Sequence, residues 1–264
     1  MQISSNFDSG NIHVVCAEQA DNIQLEIKKD HQSAFFQWFH FKLHNLERTE
    51  HTLTITNAAQ SAYLEGWPDY QAVASYDREH WFRVPTVFDG ENLIITFTPD
   101  HDSTYFAYFA PYSYERHQDL IHHAQLDIDC QLQVLGQTLD GRDISLLKVG
   151  EEGEGKKTIW LTARQHPGET MAEWFIEGFI DRLLDEDDGA ARALLDKAVF
   201  YIVPNMNPDG SVRGHLRTNA VGVNLNREWA TPSMEKSPEV YLVSEQMLET
   251  GVDMFLDIHG DEAL

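Results

Sequence analysis

The chain has 264 residues with 43 acidic and 19 basic side chains, a formal charge of −24. A surface of that sign repels phosphate backbones and anionic lipid headgroups, which excludes nucleic acid and membrane as partners. The apolar fraction of 42% supports a proper core, while no apolar run is long enough to span a bilayer.

Residues 1–10 have no basic start followed by an apolar stretch, so no signal peptide is read there. The two cysteines, Cys16 and Cys130, are too few for a disulfide framework and fit a reducing compartment, so a cytoplasmic location is expected. Short runs at residues 11–15, 23–27, 34–43, 52–56, 81–84 and 93–97 are rich in β-branched and aromatic residues and are punctuated by turn signals such as Asp89-Gly90 and Pro99-Asp100. They predict an all-β antiparallel sandwich. The run 34–43 carries aromatics on both of its alternating faces and is expected to be covered on both. The dense aromatic stretch from Tyr105 to Tyr114 reads as core and packing, and it precedes a helix over about 115–124. These features place an N-terminal β-sandwich domain at 1–113 and a second domain at 114–264.

From Cys130 the pattern changes. Residues 131–136 and 144–149 predict a hairpin around Asp140-Gly141, a strong turn signal. Apolar strands follow at 158–162, 198–203 and 252–258, alternating with helices at about 170–184 and 238–250. In the first of these helices Met171, Trp174, Phe175, Gly178, Phe179 and Leu183 lie near one stripe. The acidic cluster Asp181, Asp185, Glu186, Asp187 and Asp188 reads as a solvated helix end. Strands apolar on both faces and alternating with helices predict an α/β domain with a mixed, largely parallel sheet.

Two of these strands end in metal-ligand chemistry. After 158–162 comes Arg164-Gln165-His166-Pro167-Gly168-Glu169, and 252–258 is followed at once by His259. Pro167-Gly168 fixes a tight non-helical turn, so His166 and Glu169 converge ahead of the helix. Two imidazoles and one carboxylate leave the fourth position of a tetrahedral zinc open for water, the arrangement of a hydrolytic and not a structural site. A core imidazole satisfied by hydrogen bonds is the competing reading for His259. Asp257 points to the same side of its strand as His259, its role left open. Between these segments, Val203-Pro204-Asn205-Met206-Asn207-Pro208-Asp209-Gly210 turns sharply out of a buried strand. The stretch beyond it offers Arg213, Arg217 and Arg227 in an arginine-poor chain. A guanidinium fork suits a carboxylate or a developing oxyanion, the alternative being surface ion pairing.

His-Pro-Gly-Glu (166–169), Asn-Pro-Asp-Gly (207–210), Arg-Thr-Asn (217–219), Asn-Leu-Asn-Arg (224–227) and Asp-Ile-His (257–259), in this order, resemble the zinc metallocarboxypeptidase family, specifically its cytosolic carboxypeptidase branch. The resemblance covers essentially the whole chain. It implies zinc held by His166, Glu169 and His259. Arg217 is then the catalytic residue that polarises the scissile carbonyl and contacts substrate, while Asn226 and Arg227 grip the terminal carboxylate of a peptide or protein. Asn224 stands where the family usually has aspartate, read as a tuning change in a loop that does not touch substrate.

The family's general-base glutamate lies well downstream of the last zinc ligand. The chain is therefore expected to be truncated within its catalytic domain, with Glu262 no substitute for that base. The resemblance to that branch implies an acidic protein tail as substrate and removal of its glutamate as the expected activity. The competing functions are a zinc amidase acting on N-acyl amino acids and an inactive module that binds zinc and a carboxylate.

Overall fold

The computed structural model describes residues 1–261, and Glu262 lies outside them. By contact density the described residues divide into two compact units, one of residues 1–111, 212–217 and 261, the other of residues 112–211 and 218–260.

The first unit contains ten strands: β1 (Gln2–Ser4), β2 (His13–Gln19), β3 (Asn22–Glu26), β4 (His40–His44), β5 (His51–Ile55), β6 (Val73–Ser75), β7 (Phe82–Arg83), β8 (Thr86–Phe88), β9 (Leu93–Phe97) and β10 (Ser103–Ala107). They form two five-stranded sheets, ordered β1-β4-β10-β6-β7 and β2-β3-β5-β9-β8. Every pairing is antiparallel except that of β3 with β5. The alternation in β5 is clean: His51, Leu53 and Ile55 are buried while Thr52 and Thr54 are partly exposed. Phe97 of one sheet meets Phe106 of the other edge to face at 5.3 Å, which makes the pair a sandwich with an aromatic core.

The predicted strand over 34–43 is shorter than its pattern suggests. Only His40–His44 pairs in a ladder. Upstream, Gln37 uses its side-chain amide to bond both the carbonyl and the N–H of Tyr63, and Phe36 O accepts from Ala62 N. Those residues are satisfied by a loop and not by a neighbouring strand. The aromatic stretch from Tyr105 begins as the strand β10, whose partners β4 and β6 are distant in sequence.

The second unit opens with α1 (Tyr114–Ala124), capped by the Ser113 hydroxyl accepting from Arg116 N. The hairpin of β11 (Cys130–Gln137) and β12 (Asp143–Val149) turns at Gly141, whose φ of +81° favours glycine. Next come β13 (Lys157–Ala163), α2 (Thr170–Leu183), α3 (Gly189–Leu195), β14 (Ala198–Val203), α4 (Pro208–Arg213), α5 (Pro238–Thr250) and β15 (Met254–Ile258). The sheet is mixed, in the order β11-β12-β14-β13-β15. The β14-β13-β15 half is parallel and the rest antiparallel.

Alternate residues of these strands face two cores. Leu147, Leu161, Ala163, Phe200 and Ile202 pack beneath α1, α2 and α3, whereas Leu146, Trp160, Val199, Tyr201 and Val203 pack against Val240 and Val243 of α5. Both faces are covered, which is why the strands read as unbroken apolar runs. Trp160 and Tyr201 stack at 5.1 Å across the parallel pair.

Two readings of this region are corrected. The buried stripe of α2 is Ala172, Ile176, Ile180 and Leu183, and Phe175 is half exposed, because the side chains 3.6 residues apart that reach the sheet are the smaller ones. The acidic cluster also contains a helix start that the sequence reading overlooked. Asp188 caps α3 by accepting from Ala190 N and Ala191 N and pairs with Arg182.

Glu239, in the first turn of α5, is fully buried; its own backbone N–H donates to the carboxyl, and the Asn219 amide stands 3.4 Å from one of its oxygens. Burial, followed by the repulsion of Asp209, pushes its carboxyl up to about 7. Between the ordinary value of 4.5 and about 7 the folded state holds a proton that the unfolded state has released, so this residue's contribution falls as pH rises through that window. Glu239→Gln should therefore match the parent protein near pH 4. At pH 8 it should exceed the parent by on the order of 2–3 kcal/mol in urea unfolding. An equal stability difference at both pH values would refute the assignment.

Candidate metal centre

β13 and β15 are parallel neighbours, with Ala163 opposite Ile258. The chains leaving their carboxyl ends emerge side by side, at the edge where α/β sheets gather functional groups. Beyond β13, Glu169 N donates to His166 O at 3.1 Å and closes a four-residue turn around Pro167-Gly168. Glu169 then occupies the N-cap position of α2. His259 follows β15 directly.

The three side chains meet. His166 Nδ1 is 2.7 Å from Glu169 Oε1, and His259 Nδ1 is 2.8 Å from Glu169 Oε2. Their ligand atoms all lie within 4.8 Å of one another. His166 and Glu169 are buried and His259 is partly open. Gly260 N adds a hydrogen bond to Glu169 Oε2 at 3.0 Å.

The far side of each imidazole is also held. His166 Nε2 faces Asn224 Oδ1 at 3.1 Å, and His259 Nε2 faces Asp257 Oδ2 at 2.8 Å. Asp257 in turn accepts from Thr162 Oγ1 at 2.9 Å and Gln165 Nε2 at 2.6 Å, while Gln165 Oε1 accepts from the Trp229 indole. If the histidines hold a metal, Asp257 would be an orienting carboxylate behind His259, and Asn224 would play the same part for His166. The alternation of Asp257 and His259 was legible in sequence, but their hydrogen bond was not. Asn224 lies 58 residues from His166, and no local pattern links the two.

The donor chemistry calls for a cation. Both ring nitrogens of His259 face carboxylate oxygens, so a metal-free site needs an imidazolium. The hydrogen bond to Asp257, then that to Glu169, raises His259 to about 10. Burial pushes Glu169 up, but hydrogen bonds from His166 and His259 outweigh it and bring the carboxyl down to about 2. Two inward-facing Nδ1 atoms and a carboxylate held ionised, with Nε2 of each ring tied behind, fit a zinc ion.

Asn226 and Arg227 lie in a short 3-10 turn, Leu225–Arg227, which Asn224 caps by accepting from Asn226 N. Asn226 Nδ2 stands 3.4 Å from His259 Nε2, while the exposed Arg227 reaches back to Asn226 O. The structure thus brings Asn226 to the histidine–glutamate cluster. Arg217 belongs to the other compact unit. There Asp30 receives the Leu216 and Arg217 backbone N–H groups at 2.7 and 2.8 Å, and the Arg217 guanidinium bonds Tyr63 Oη and lies over the Phe35 and Tyr63 rings.

Residues 122–263 match the family model described as zinc carboxypeptidase, and residues 3–109 match the cytosolic carboxypeptidase N-terminal domain. The chain belongs to the zinc carboxypeptidase family. Within it, the chain is 54% identical over its full length to the uncharacterized protein ZMO1242 of Zymomonas mobilis, covering 68% of that protein. It is 30% identical over 98% of its length to cytosolic carboxypeptidase 6 of Mus musculus, spanning about half, 53%, of that relative. Among solved structures, the metallo-carboxypeptidase of Pseudomonas aeruginosa in complex with (2-guanidinoethylmercapto)succinic acid superposes with a TM-score of 0.97 at 51% identity. That match covers all of this chain and 71% of that one.

Removing the carboxylate charge behind His259 should loosen the centre without unfolding the sheet. Asp257→Asn is expected to weaken zinc binding by about 10- to 100-fold, measured by competition with a chromogenic chelator. An unchanged affinity would deny Asp257 its orienting role.

Proposed function

We propose that this protein is a zinc-dependent carboxypeptidase that hydrolyses the last peptide bond of peptides or proteins. The observation that carries this reading is the convergence of His166 Nδ1 and His259 Nδ1 on the Glu169 carboxylate, with Asn226 at the edge of the cluster. When bound, zinc supplies a Lewis acid that polarises a carbonyl and lowers the pKa of a coordinated water.

The chain's own groups divide the remaining work. Asp257 and Asn224 hold the far nitrogens of the two rings, which leaves both Nδ1 atoms directed inward. Asn226 and Arg227 bind the substrate's terminal carboxylate, the guanidinium supplying a planar pair of donors. Arg217 donates to the scissile carbonyl oxygen as negative charge develops there. The family resemblance puts the general base in the segment downstream of His259. It also supports work in the cytoplasm; no helix among the described residues is long and apolar enough to cross a membrane.

Two terminal side chains are favoured by different observations. The cytosolic carboxypeptidase resemblance supports acidic tails and hence deglutamylation. The ligand of the Pseudomonas aeruginosa relative carries a guanidinium on a succinic acid, and together with a charge of −24 it supports basic C-termini instead. Zinc-loaded protein assayed on peptides ending in glutamate, arginine or leucine, with N-acyl amino acids in parallel, ranks these readings. Turnover confined to N-acyl amino acids would favour an amidase, and zinc binding without any turnover a binding module.

His166→Ala and His259→Ala should each abolish zinc binding and peptide hydrolysis. Arg217→Ala should keep the zinc while kcat falls by about 10²–10³-fold. Hydrolysis that survives loss of either histidine would sink the carboxypeptidase assignment.

A further inference from the structure

Arg164, the first residue past β13, combines two features that are unfavourable in isolation. Its φ of +55° lies in the left-handed region that residues bearing a Cβ rarely adopt. Its guanidinium is also fully buried, the side chain being 1% exposed, beside a Glu173 carboxylate that is 0% exposed. Buried ion pairs are weak stabilising devices, since desolvation offsets much of the attraction. A fold that keeps both features in one residue, two positions before His166, is using that residue to impose a shape.

The contacts show which shape. Arg164 Nε donates to Pro167 O at 3.0 Å, inside the turn that carries His166 and Glu169. One terminal nitrogen donates to Tyr112 O at 2.9 Å and to Glu173 Oε2 at 2.7 Å. The backbone N–H of Arg164 donates to Ile258 O at 3.3 Å, the carbonyl just before His259. A single residue thus ties the His166–Glu169 turn to the end of β15, across the gap that the three ligands must close.

Its anchor is itself fixed on all sides. Glu173 Oε1 faces His117 Nδ1 at 2.7 Å, and Oε2 also accepts from Asn205 Nδ2 at 3.1 Å. The left-handed backbone fans successive side chains apart. Arg164 runs to Glu173, Gln165 to Asp257 and Trp229, and His166 to Glu169.

We infer that Arg164 is a positioning residue of the metal centre, its guanidinium holding the His166–Glu169 turn by the Pro167 carbonyl while its backbone N–H is bonded to Ile258 O just before His259. The inference rests on the proposed zinc reading and adds a residue that touches neither metal nor substrate. Lysine can keep the charge opposite Glu173 but cannot hold Pro167 O and Tyr112 O with one planar fork.

The test loads the full chain with zinc or cobalt(II), measures metal affinity by chelator competition, and records the visible spectrum of the cobalt form as a report of ligand geometry. Arg164→Lys, Arg164→Met and a control, Leu183→Ala in the apolar face of α2, are compared at a temperature where circular dichroism shows each to be folded. Both Arg164 variants should bind metal about 10- to 100-fold more weakly than the parent and shift the cobalt bands. The control should lose thermal stability while keeping the parent affinity and spectrum. If Arg164→Met fails to fold, Arg164→Lys decides alone. Parent-like affinity and spectrum in the folded Arg164 variants, or an equal loss in the control, would overturn the positioning role while leaving the zinc reading intact. A parent protein that binds neither metal would instead overturn the zinc reading, and this inference with it.

Discussion

Donors from segments about ninety residues apart meet because β13 and β15 lie side by side and run in the same direction. Parallel pairing makes both strands end at one edge, and the register of Ala163 with Ile258 puts their exits level. The rest of the second unit serves that arrangement. Apolar residues on both faces of the sheet hold the strands between α1, α2 and α3 on one side and α5 on the other. Each fully buried Leu, Ile or Phe contributes about 1.5–3 kcal/mol by leaving water. The edge can then carry polar groups whose own burial is costly.

That cost is met by pairing. Among the described residues around the ligand turn, Arg164, Gln165, Glu173, Asn205 and Asn207 are all nearly inaccessible to water and hydrogen-bonded. Their partners form one connected frame. Asn207 Nδ2 bonds Gln165 O, Asn207 N bonds Asn205 Oδ1, and Asn205 bonds Glu173 and Ser211. The Asn-Pro-Asp-Gly segment is therefore more than a sharp turn out of β14. Asn207 caps α4 by accepting from Gly210 N, and a Cβ on Gly210 would come within 2.4 Å of the Pro167 ring. Asp209 accepts from Thr138 Oγ1, Asp140 N and Arg142, and so fastens the β11–β12 hairpin to the same corner.

Legibility in the sequence followed the range of the interaction. Strands and helices of the second unit were readable because their signals are local, in apolar runs, an Asp-Gly turn and a proline at the start of α5. The candidate ligands His166, Glu169 and His259 stood out because the histidines follow apolar runs, and the structure groups all three. The 34–39 stretch misled because aromatic alternation reports burial and not hydrogen-bond partners, and there Gln37 substitutes for a neighbouring strand. The stripe of α2 misled because the largest apolar residues were taken for the most buried. The hydrogen bonds of Asp257, Asn224 and Arg164 were not legible, since each is made to partners fixed only by tertiary contact; Asn224 was read only as a tuning change in a loop. A left-handed arginine leaves no mark in a sequence.

Asn224 shows how closely the parts of the site are joined. Its single amide oxygen accepts from His166 Nε2 and also from the backbone N–H of Asn226. One atom therefore takes part both in orienting a proposed metal ligand and in shaping the turn proposed to receive the substrate's carboxylate. Any displacement of that oxygen is shared, so the free energies of the two proposed binding events would be linked. By reciprocity, whatever ordering the metal imposes on the turn, an occupied turn returns to the metal in equal measure.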